Sequence, residues 1–391
     1  MIAVQSNGSS IALKSDSTVW TWGNNSDYQL GDGTNSDRAT PGKVPSFGSV
    51  KFVAAGYLHS FAIKRDSTLW AWGQNNYGQL GDSTDTTRSS PIRVKALQSV
   101  MTVAGGEDFS IALKTDGTLW TWGNNDQGQL GRGNDSSSLY PIQIPSPSGL
   151  VALAAGERHS LALKEDGTVW AWGLNSNGQL GDSTDTNRIA PRKINALSGI
   201  VAIGAGAKHS LALRYDGSIW AWGYNGEGQL GTGNTTSRYY PEQVSGISSI
   251  TSLSASNHNI MLKNDGTIWA WGDNAAFQLG NGTNVNLKSA AQNPLFSFGP
   301  TVSTPVSNLS PGPYLTSRTV KVFSTTSGAN LHYTTNGQEP TSSNSLVGSD
   351  SSISLGIGTT TLKVKAFKSN AFRKLMISSS CTRSAPVHSG F

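Results

Sequence analysis

Residues 151–197 read VALAAGERHSLALKEDGTVWAWGLNSNGQLGDSTDTNRIAPRKINAL. This stretch contains the tetrad Trp-x-Trp-Gly, which occurs six times in the chain at steps of 50, 50, 50, 50 and 49 residues. Self-similarity at a fixed period of this length is the signature of a repeat architecture. The six copies hold all 12 tryptophans: Trp20, Trp22, Trp70, Trp72, Trp120, Trp122, Trp170, Trp172, Trp220, Trp222, Trp269 and Trp271.

The quoted unit predicts four short strands. Between the second and third lies Asp166-Gly167, which predicts a two-residue type I′ hairpin turn. A long loop rich in Gly, Asn and Asp follows the third strand, and Pro191 begins the fourth at an edge where proline is tolerated. The predicted strands cover 151–154, 160–164 and 168–172, with the fourth beginning over 191–194. Four strands in each repeat of this length predict a β-propeller blade.

Units of the form A-G-x-x-H-S-L-A-L-K-x-D-G-T-V-W-A-W-G-x-N-x-x-G-Q-L-G resemble the repeats of the regulator of chromosome condensation family, and the match covers 2–298. The resemblance implies a propeller, usually of seven blades, whereas the chain shows six units. The first unit begins in mid-strand at Met1, and the sixth has lost one residue before His258 and has Ala290 in place of the proline. We expect about six blades over 1–298. Two alternatives stay open: six blades close the ring, or an upstream piece with a seventh blade and an export signal is missing.

The pattern changes after the repeats. Residues 299–313 are rich in Pro and Ser and predict an extended linker. Alternating segments at 319–324 and 360–367 then predict a half-buried antiparallel sheet. Between them, Tyr-Thr-x-Asn-Gly-x-x-Pro-Thr from Tyr333 is similar to the immunoglobulin-like domain at the C-terminus of chitobiases. This resemblance implies a small β-sandwich over 314–380 in a bacterial, exported protein; 381–391 stays unassigned.

Composition and charge narrow the functional classes. The single Cys381 excludes a disulfide framework and a cysteine metal cluster, and no apolar run is long enough to span a membrane. The net charge of +5 is uneven: residues from 301 onward hold 8 basic and 2 acidic residues, and the first 300 hold 21 and 22. DNA binding requires clustered basic residues. The near-neutral propeller therefore predicts no nucleic-acid partner, and we also expect no membrane insertion.

Most repeated residues are expected to be structural. The two tryptophans of each unit lie on one strand face and would pack against small residues of a neighbouring blade. His59, His159, His209 and His258 occupy one repeat position, which predicts a polar tie between blades and not a convergent catalytic or zinc site. The Asp-rich loops that begin at Asp32, Asp82 and Asp182 predict local turns in preference to calcium binding. No metal and no cofactor are expected.

Two loops vary between units while the framework repeats. They are the x-x of Gly-x-x-His-Ser and the residues between Asn and Gln-Leu-Gly, and strand direction puts both at the same end of each blade. Varied polar and aromatic residues on a rigid scaffold are typical of a binding face, although neutral surface variation is the simpler alternative. The candidate binding residues are Tyr28, Tyr57, Tyr77, Glu107, Asp108, Arg158, Lys208, Tyr224 and Phe277.

We therefore expect a non-catalytic propeller that binds a protein partner through its varied loops, in a bacterial surface or secreted protein. The first alternative is carbohydrate or cell-wall adhesion, with a cell-surface polysaccharide as partner. The second is guanine-nucleotide exchange, which the family resemblance suggests; it belongs to eukaryotic members that act on a small GTPase, and a shared fold does not transfer function. No residue pattern supports an enzyme.

Overall fold

A computed structural model of the chain describes residues 8–145 and 147–297 continuously, the strand Ile2–Val4, and strands with short neighbouring stretches between 306 and 381. All regular secondary structure in the described residues is β. Six consecutive groups of four strands each form one antiparallel sheet in chain order. The expected propeller of six four-stranded blades is confirmed.

Each blade runs from an inner strand beside the central channel to an outer strand at the rim. The first strands are β1 Ile2–Val4, β5 Val50–Ala55, β9 Val100–Gly105, β13 Leu150–Ala155, β17 Ile200–Ala205 and β21 Ile250–Ala255. The second are β2 Ser9–Leu13, β6 His59–Lys64, β10 Phe109–Lys114, β14 His159–Lys164, β18 His209–Arg214 and β22 His258–Lys263. The third are β3 Val19–Gly23, β7 Leu69–Gly73, β11 Leu119–Gly123, β15 Val169–Gly173, β19 Ile219–Gly223 and β23 Thr267–Gly272. The fourth are β4 Arg38–Lys43, β8 Arg88–Arg93, β12 Ser138–Ile144, β16 Arg188–Lys193, β20 Arg238–Gln243 and β24 Leu287–Ser297.

The fourth strand begins three residues before the predicted Pro191, and the hairpin turn differs from the sequence prediction. Gly167 has a φ of 77°, but Asp166 is not among the residues with positive φ. Gly167 N donates to Lys164 O at 3.0 Å, and Lys164 N donates to Thr168 O at 3.0 Å. The connection is therefore a three-residue loop that ends in a left-handed glycine, and the type I′ prediction was wrong. Asp166 instead accepts hydrogen bonds from Thr168 N and Oγ1 at 3.0 and 2.6 Å.

The core lies between blades because the second tryptophan of each unit reaches into its neighbour. Trp172 is fully buried, and its Nε1 donates to Gln129 O of the preceding blade at 2.8 Å. Ser160 Oγ donates to the same oxygen at 2.9 Å. A Cβ on Gly131 would lie 2.8 Å from the indole Nε1, so only glycine fits beneath this ring. Equivalent indole bonds join the other pairs of consecutive blades: Trp72 to Gln29, Trp122 to Gln79, Trp222 to Gln179 and Trp271 to Gln229.

The junction between blades six and one is different. Trp22 and Gln278 occupy the positions of the indole donor and the carbonyl acceptor, yet both are partly exposed. Within the described part of the chain, no hydrogen bond joins them, and the Ser10 side chain does not reach a Gln carbonyl as its counterparts do. The indole hydrogen bond that joins five pairs of consecutive blades is thus absent between blades six and one among these residues.

The chain divides into two compact units, Met1–Met261 with Ala270–Ala291, and Leu262–Trp269 with Gln292–Phe391. The C-terminal part of the second unit holds two sheets, in the orders β25-β26-β29 and β28-β27-β30-β31. Leu331 and Ile353, one from each sheet, are buried. The predicted linker 299–313 lies almost wholly outside the described residues, as do the Asn336-Gly337 turn and nearly all of the tail 381–391. The strands are β25 Val306–Ser307, β26 Arg318–Phe323, β27 Asn330–Thr334, β28 Ser345–Val347, β29 Ser351–Leu355, β30 Thr360–Phe367 and β31 Ile377–Cys381.

Candidate functional site

The antiparallel blades give the propeller two ends with different connections. We call the loop face the end that carries the loops between first and second strands and between third and fourth strands. The turn face is the opposite end, where second and third strands are joined by short turns such as Glu165–Gly167. Both varied loops of blades two to six, and the long loop of blade one, lie on the loop face, as the strand directions predicted.

A buried asparagine holds each long loop of the loop face. Asn175 Nδ2 donates to the main-chain oxygens of Thr184 and Thr186 at 2.9 and 3.1 Å, and its Oδ1 accepts from Leu180 N at 2.9 Å. Further along the loop, Asp182 accepts from Thr184 Oγ1 and pairs with Arg188. This is the local turn chemistry predicted for the Asp-rich loops. The asparagines at this position are Asn25, Asn75, Asn125, Asn175, Asn225 and Asn274.

The long loops of blades one to five are also bonded to the next blade. Ser183 N donates to Tyr239 O of the following outer strand at 2.8 Å, and Gly33 N to Ser89 O at 2.9 Å. Three of the four predicted histidines, His59, His159 and His209, add a second hydrogen bond to the next blade, and His159 Nε2 lies 2.9 Å from Ser210 Oγ. His159 is fully buried, and this burial lowers its pKa to about 3, so the ring is neutral at physiological pH. The loop face is therefore a rigid surface.

Tyr28 and Phe277 lie between the Asn and the Gln-Leu-Gly of their units, but at the last position of that stretch, directly before the Gln. They stand where blades two to five have glycine, and their φ values of 61° and 62° are left-handed. At Gly178 the glycine is required, because a Cβ would lie 2.6 Å from the Tyr239 Cα of the next blade. Next to Tyr28 the corresponding residue is the small Ser89. Both aromatic side chains thus project from strained backbone at loop tips, which costs about 1 kcal/mol or more each.

The predicted aromatic residues lie apart from one another on the loop face. Tyr77 is 46% exposed at a loop tip of blade two, and Phe277 is 61% exposed on blade six. Tyr57 lies at the mouth of the central channel, which is otherwise lined mainly by Gly and Ala. Tyr224 borders a cleft between blades five and six. The structure does not bring these side chains together into one pocket.

The predicted charged residues do converge. Arg158 Nε donates to Glu107 Oε2 of the preceding blade at 2.8 Å, and its Nη1 to Asp126 Oδ2 at 3.2 Å. Asp108 lies in the same cluster, and burial, reinforced by the Glu107 carboxylate, raises its pKa to about 6. The arrangement is an ion-pair network across blades three and four, in which Asp108 is the residue that changes charge near neutral pH.

Lys208 borders the second charged feature. Its Nζ lies 3.8 Å from Glu157 Oε2, at the edge of the cleft that Tyr224, Glu227 and Asp273 also line. The cleft has a volume of about 240 Å³ and opens on the loop face. It carries more carboxylates than cations, but the described residues contain no group of three or more His, Cys, Asp or Glu side chains placed to hold a metal ion.

Sequence reasoning missed a set of exposed apolar residues at the start of the outer strands. They stand two positions and one position before the repeated proline, for example Leu139 and Tyr140 before Pro141. This pair varies strongly between units, so the same internal comparison that singled out the loops would have found it. The exposed members are Leu139, Tyr140, Ile189, Tyr239 and Tyr240, and they form the rim of the loop face.

The fold and the loop face define the chain's propeller as a repeat scaffold with one varied end. A family model described as the RCC1-like domain matches residues 3–312, and the chain belongs to that family. A second model, the chitobiase/β-hexosaminidase C-terminal domain, matches residues 309–374. None of the curated protein sequences matches the chain. No helix suited to crossing a membrane occurs in the part of the chain that the structure describes.

Solved structures show the same fold. Prp20p from Saccharomyces cerevisiae, a protein studied for its binding to Gsp1p and histones, is similar with 25% identity and a TM-score of 0.67, over 75% of this chain and 76% of that one. Yeast RCC1 (Prp20) bound to Kap60 is similar with 24% identity and the same TM-score of 0.67, over 75% and 74% of the two chains. Human WBSCR16 is similar with 24% identity and a TM-score of 0.69, over 77% and 82%.

Proposed function

We propose that the chain is a non-catalytic protein-binding module that receives its partner on the loop face of the propeller. The observation that carries this proposal is the uneven distribution of exposed aromatic residues. Five lie on the loop face, Tyr77, Tyr140, Tyr239, Tyr240 and Phe277, whereas Tyr215 is the one such residue on the turn face among the described residues. Large aromatic side chains on a rigid surface are enriched at the energetic centres of protein interfaces.

Two further observations support the proposal. The similarity to Prp20p, whose studied partners are proteins, is consistent with a protein partner here. The Arg158 network and the Lys208 pair are partly exposed ionic groups, which set the orientation of a partner more than its affinity. The buried histidines are occupied with interblade contacts, so they offer no free acid or base for catalysis in the described part of the chain.

The matched experiment compares two aromatic surfaces. The purified chain is used to capture partners from a cell-surface extract, before and after protease or periodate treatment of the extract. We expect Tyr77→Ala with Tyr140→Ala to reduce capture of a protease-sensitive partner about tenfold or more, which is the loss typical of a hot spot. The control is Tyr215→Ala, because Tyr215 is 67% exposed but lies on the turn face. This variant should retain binding.

The outcomes separate the proposal from its alternatives. Equal loss with both variants, or no loss with either, contradicts a binding site on the loop face. Capture that is lost after periodate and survives protease contradicts a protein partner, and it supports the cell-surface polysaccharide. Accelerated nucleotide release from a captured GTPase would contradict a purely non-catalytic scaffold.

A further inference from the structure

The net charge of the propeller is close to zero, but acidic and basic residues are distributed unequally between its two faces. The loop-face segments are 24–38 and 56–58 with their counterparts in later blades, and within the first compact unit they carry 14 acidic and 7 basic residues. The remaining described residues of that unit, which form the turn face and the strands leading to it, carry 7 acidic and 13 basic residues. The loop face is therefore net negative by seven charges, and the turn face net positive by six.

The positive charge of the turn face is concentrated on two blades. A turn carboxylate neutralises the cation two residues before it in several blades, as Asp116 does for Lys114 at 2.9 Å and Asp16 for Lys14 at 3.7 Å. On blades one and two, Arg65 instead donates to Ser17 Oγ at 2.8 Å, and Lys51 Nζ donates to Ser67 Oγ at 2.6 Å. Among the described residues, six cations there form no ion pair: Lys43, Lys51, Lys64, Arg65, Arg93 and Lys95.

Apolar side chains complete the turn face on the other blades. The second residue of the inner strand is exposed in blades three, four and five, where it is Met101, Val151 and Val201, the last at 54% exposure. Tyr215 lies in the adjoining turn of blade five. An apolar arc beside a charged region is the composition of a protein interface, which buries apolar area at its centre and keeps ionic groups at its rim.

We propose that a second copy of this chain docks head to tail, with the loop face of one propeller against the turn face of the next. Opposite net charges on the two faces favour this orientation over face-to-face pairing of like ends, in which charges repel. Because the two surfaces are different, every assembly keeps one free loop face at one end and one free turn face at the other, and the association grows into open stacks. The inference rests on the proposed function, since the loop face is one of its two contact surfaces.

Sedimentation velocity of the full chain tests the proposal. At about 20 mM salt we expect a mass that rises with protein concentration above the 41.1 kDa of one chain. At about 500 mM salt the charges are screened, and dissociation should be at least about tenfold stronger. A chain that stays monomeric at both salt concentrations overturns the proposal. It leaves the proposed function standing if Tyr77→Ala with Tyr140→Ala still reduces partner capture about tenfold or more.

Two variants identify the faces. Asp85→Asn, Asp135→Asn and Asp185→Asn neutralise one repeat position on three neighbouring loops, where the side chains are exposed and make no hydrogen bond in the structure. Lys51→Gln, Arg93→Gln and Lys95→Gln neutralise the turn-face cations. Each triple variant alone should be largely monomeric at low salt. Mixed together, they retain one intact face each and should form a one-to-one dimer that does not grow further.

The mixing result is the decisive one. A turn-face variant that still stacks at low salt overturns the proposal, because another basic part of the sequence, such as the segment from 301 onward, then binds the loop face. Variants that associate only with themselves, and not with each other, overturn the head-to-tail orientation. Circular dichroism of each variant, matched to the unmodified chain, shows that loss of association is not loss of folding.

Discussion

The indole Nε1 of Trp172 donates a 2.8 Å hydrogen bond to the main-chain oxygen of Gln129, 43 residues earlier in the chain and in the preceding blade. Ser160 Oγ donates to the same oxygen, so one carbonyl receives two side chains of the next repeat. The bond lies in a fully buried interface, where an unsatisfied polar group is costly. The repeated Trp-x-Trp-Gly and Gln-Leu-Gly motifs are thus two halves of a single contact.

Loss of this contact should destabilise the propeller. We expect Trp172→Phe to lower the free energy of unfolding by about 1–3 kcal/mol, because it removes the buried indole donor and leaves a gap. The measurement is equilibrium unfolding in urea. Trp22→Phe is the matched control, since Trp22 is partly exposed and makes no such bond in the described structure; its effect should stay below about 1 kcal/mol. Equal losses for the two variants would contradict the proposed role of the interblade bond.

The asparagine of the long loop provides a second prediction. Asn175→Ala removes one acceptor and one donor that serve Leu180 N and two loop carbonyls, all at or near the buried base of the loop. We expect a loss of about 2–3 kcal/mol in unfolding free energy and faster proteolysis within 182–188. Asn177→Ala in the same loop is the control, because the Asn177 side chain bonds only Ser176 Oγ. Unchanged proteolysis in Asn175→Ala would show that the loop is held by other contacts.

Acid should weaken the propeller through its buried histidines. Burial lowers the pKa of His59 and His159 to about 3 and that of His209 to about 4, whereas an unfolded histidine titrates at about 6.5. Below pH 6.5 these three imidazole rings bind protons in the unfolded chain but not in the folded chain, so stability is lost as pH falls. Each ring contributes a slope of up to about 1.4 kcal/mol per pH unit between about pH 6 and 4.

The histidine effect is checked by urea unfolding over that pH range. His159→Phe, which introduces the residue that blade three carries as Phe109 at this position, should lower the slope by up to about 1.4 kcal/mol per pH unit. The double variant with His59→Phe should flatten it further. A slope that is unchanged in both would place the acid sensitivity in other groups.

Asp108 should have the opposite pH dependence. Its pKa is raised to about 6 in the folded chain by burial and by the Glu107 carboxylate, against 3.8 without those influences. The folded state therefore holds a proton that the unfolded state releases, and stability is lost as pH rises from about 4 to about 6. We expect Asp108→Asn to be more stable than the unmodified chain at pH 7 and no more stable at pH 4. Carbon-detected NMR of the side-chain carboxyl measures the pKa directly, and a value near 4 would refute the prediction.

Much of the fold could be predicted from the sequence because six repeats show the same motifs at the same spacing. The spacing of Trp-x-Trp-Gly defines six blades, and the alternation in 151–172 locates three strands to within one residue. The hairpin turn was assigned wrongly because the Asp166 side chain bonds Thr168, which keeps Asp166 at negative φ and leaves Gly167 alone in the left-handed region. No pairwise turn rule contains that side-chain bond.

The candidate site was less accessible to sequence reasoning. The end of the blade that carries the varied loops follows from strand direction alone, and Arg158 with Glu107 does lie there. The placement of Tyr28 and Phe277 depends on where an adjacent blade presses against a glycine, which is a tertiary contact between different repeats. The charge separation between the faces becomes visible once each charged residue is assigned to an end of its blade.

The bond from Trp172 to Gln129 also has a consequence for folding during synthesis on the ribosome. Blades one to five each receive this hydrogen bond from a tryptophan that lies 42 or 43 positions further along the chain, so the stabilising contact becomes available as soon as the next repeat leaves the ribosome. Assembly can therefore advance from the N-terminus one blade at a time, with each new repeat capping its predecessor during synthesis. Contacts of such short sequence separation keep the loop-closure entropy low, which favours rapid folding in an all-β protein of this size.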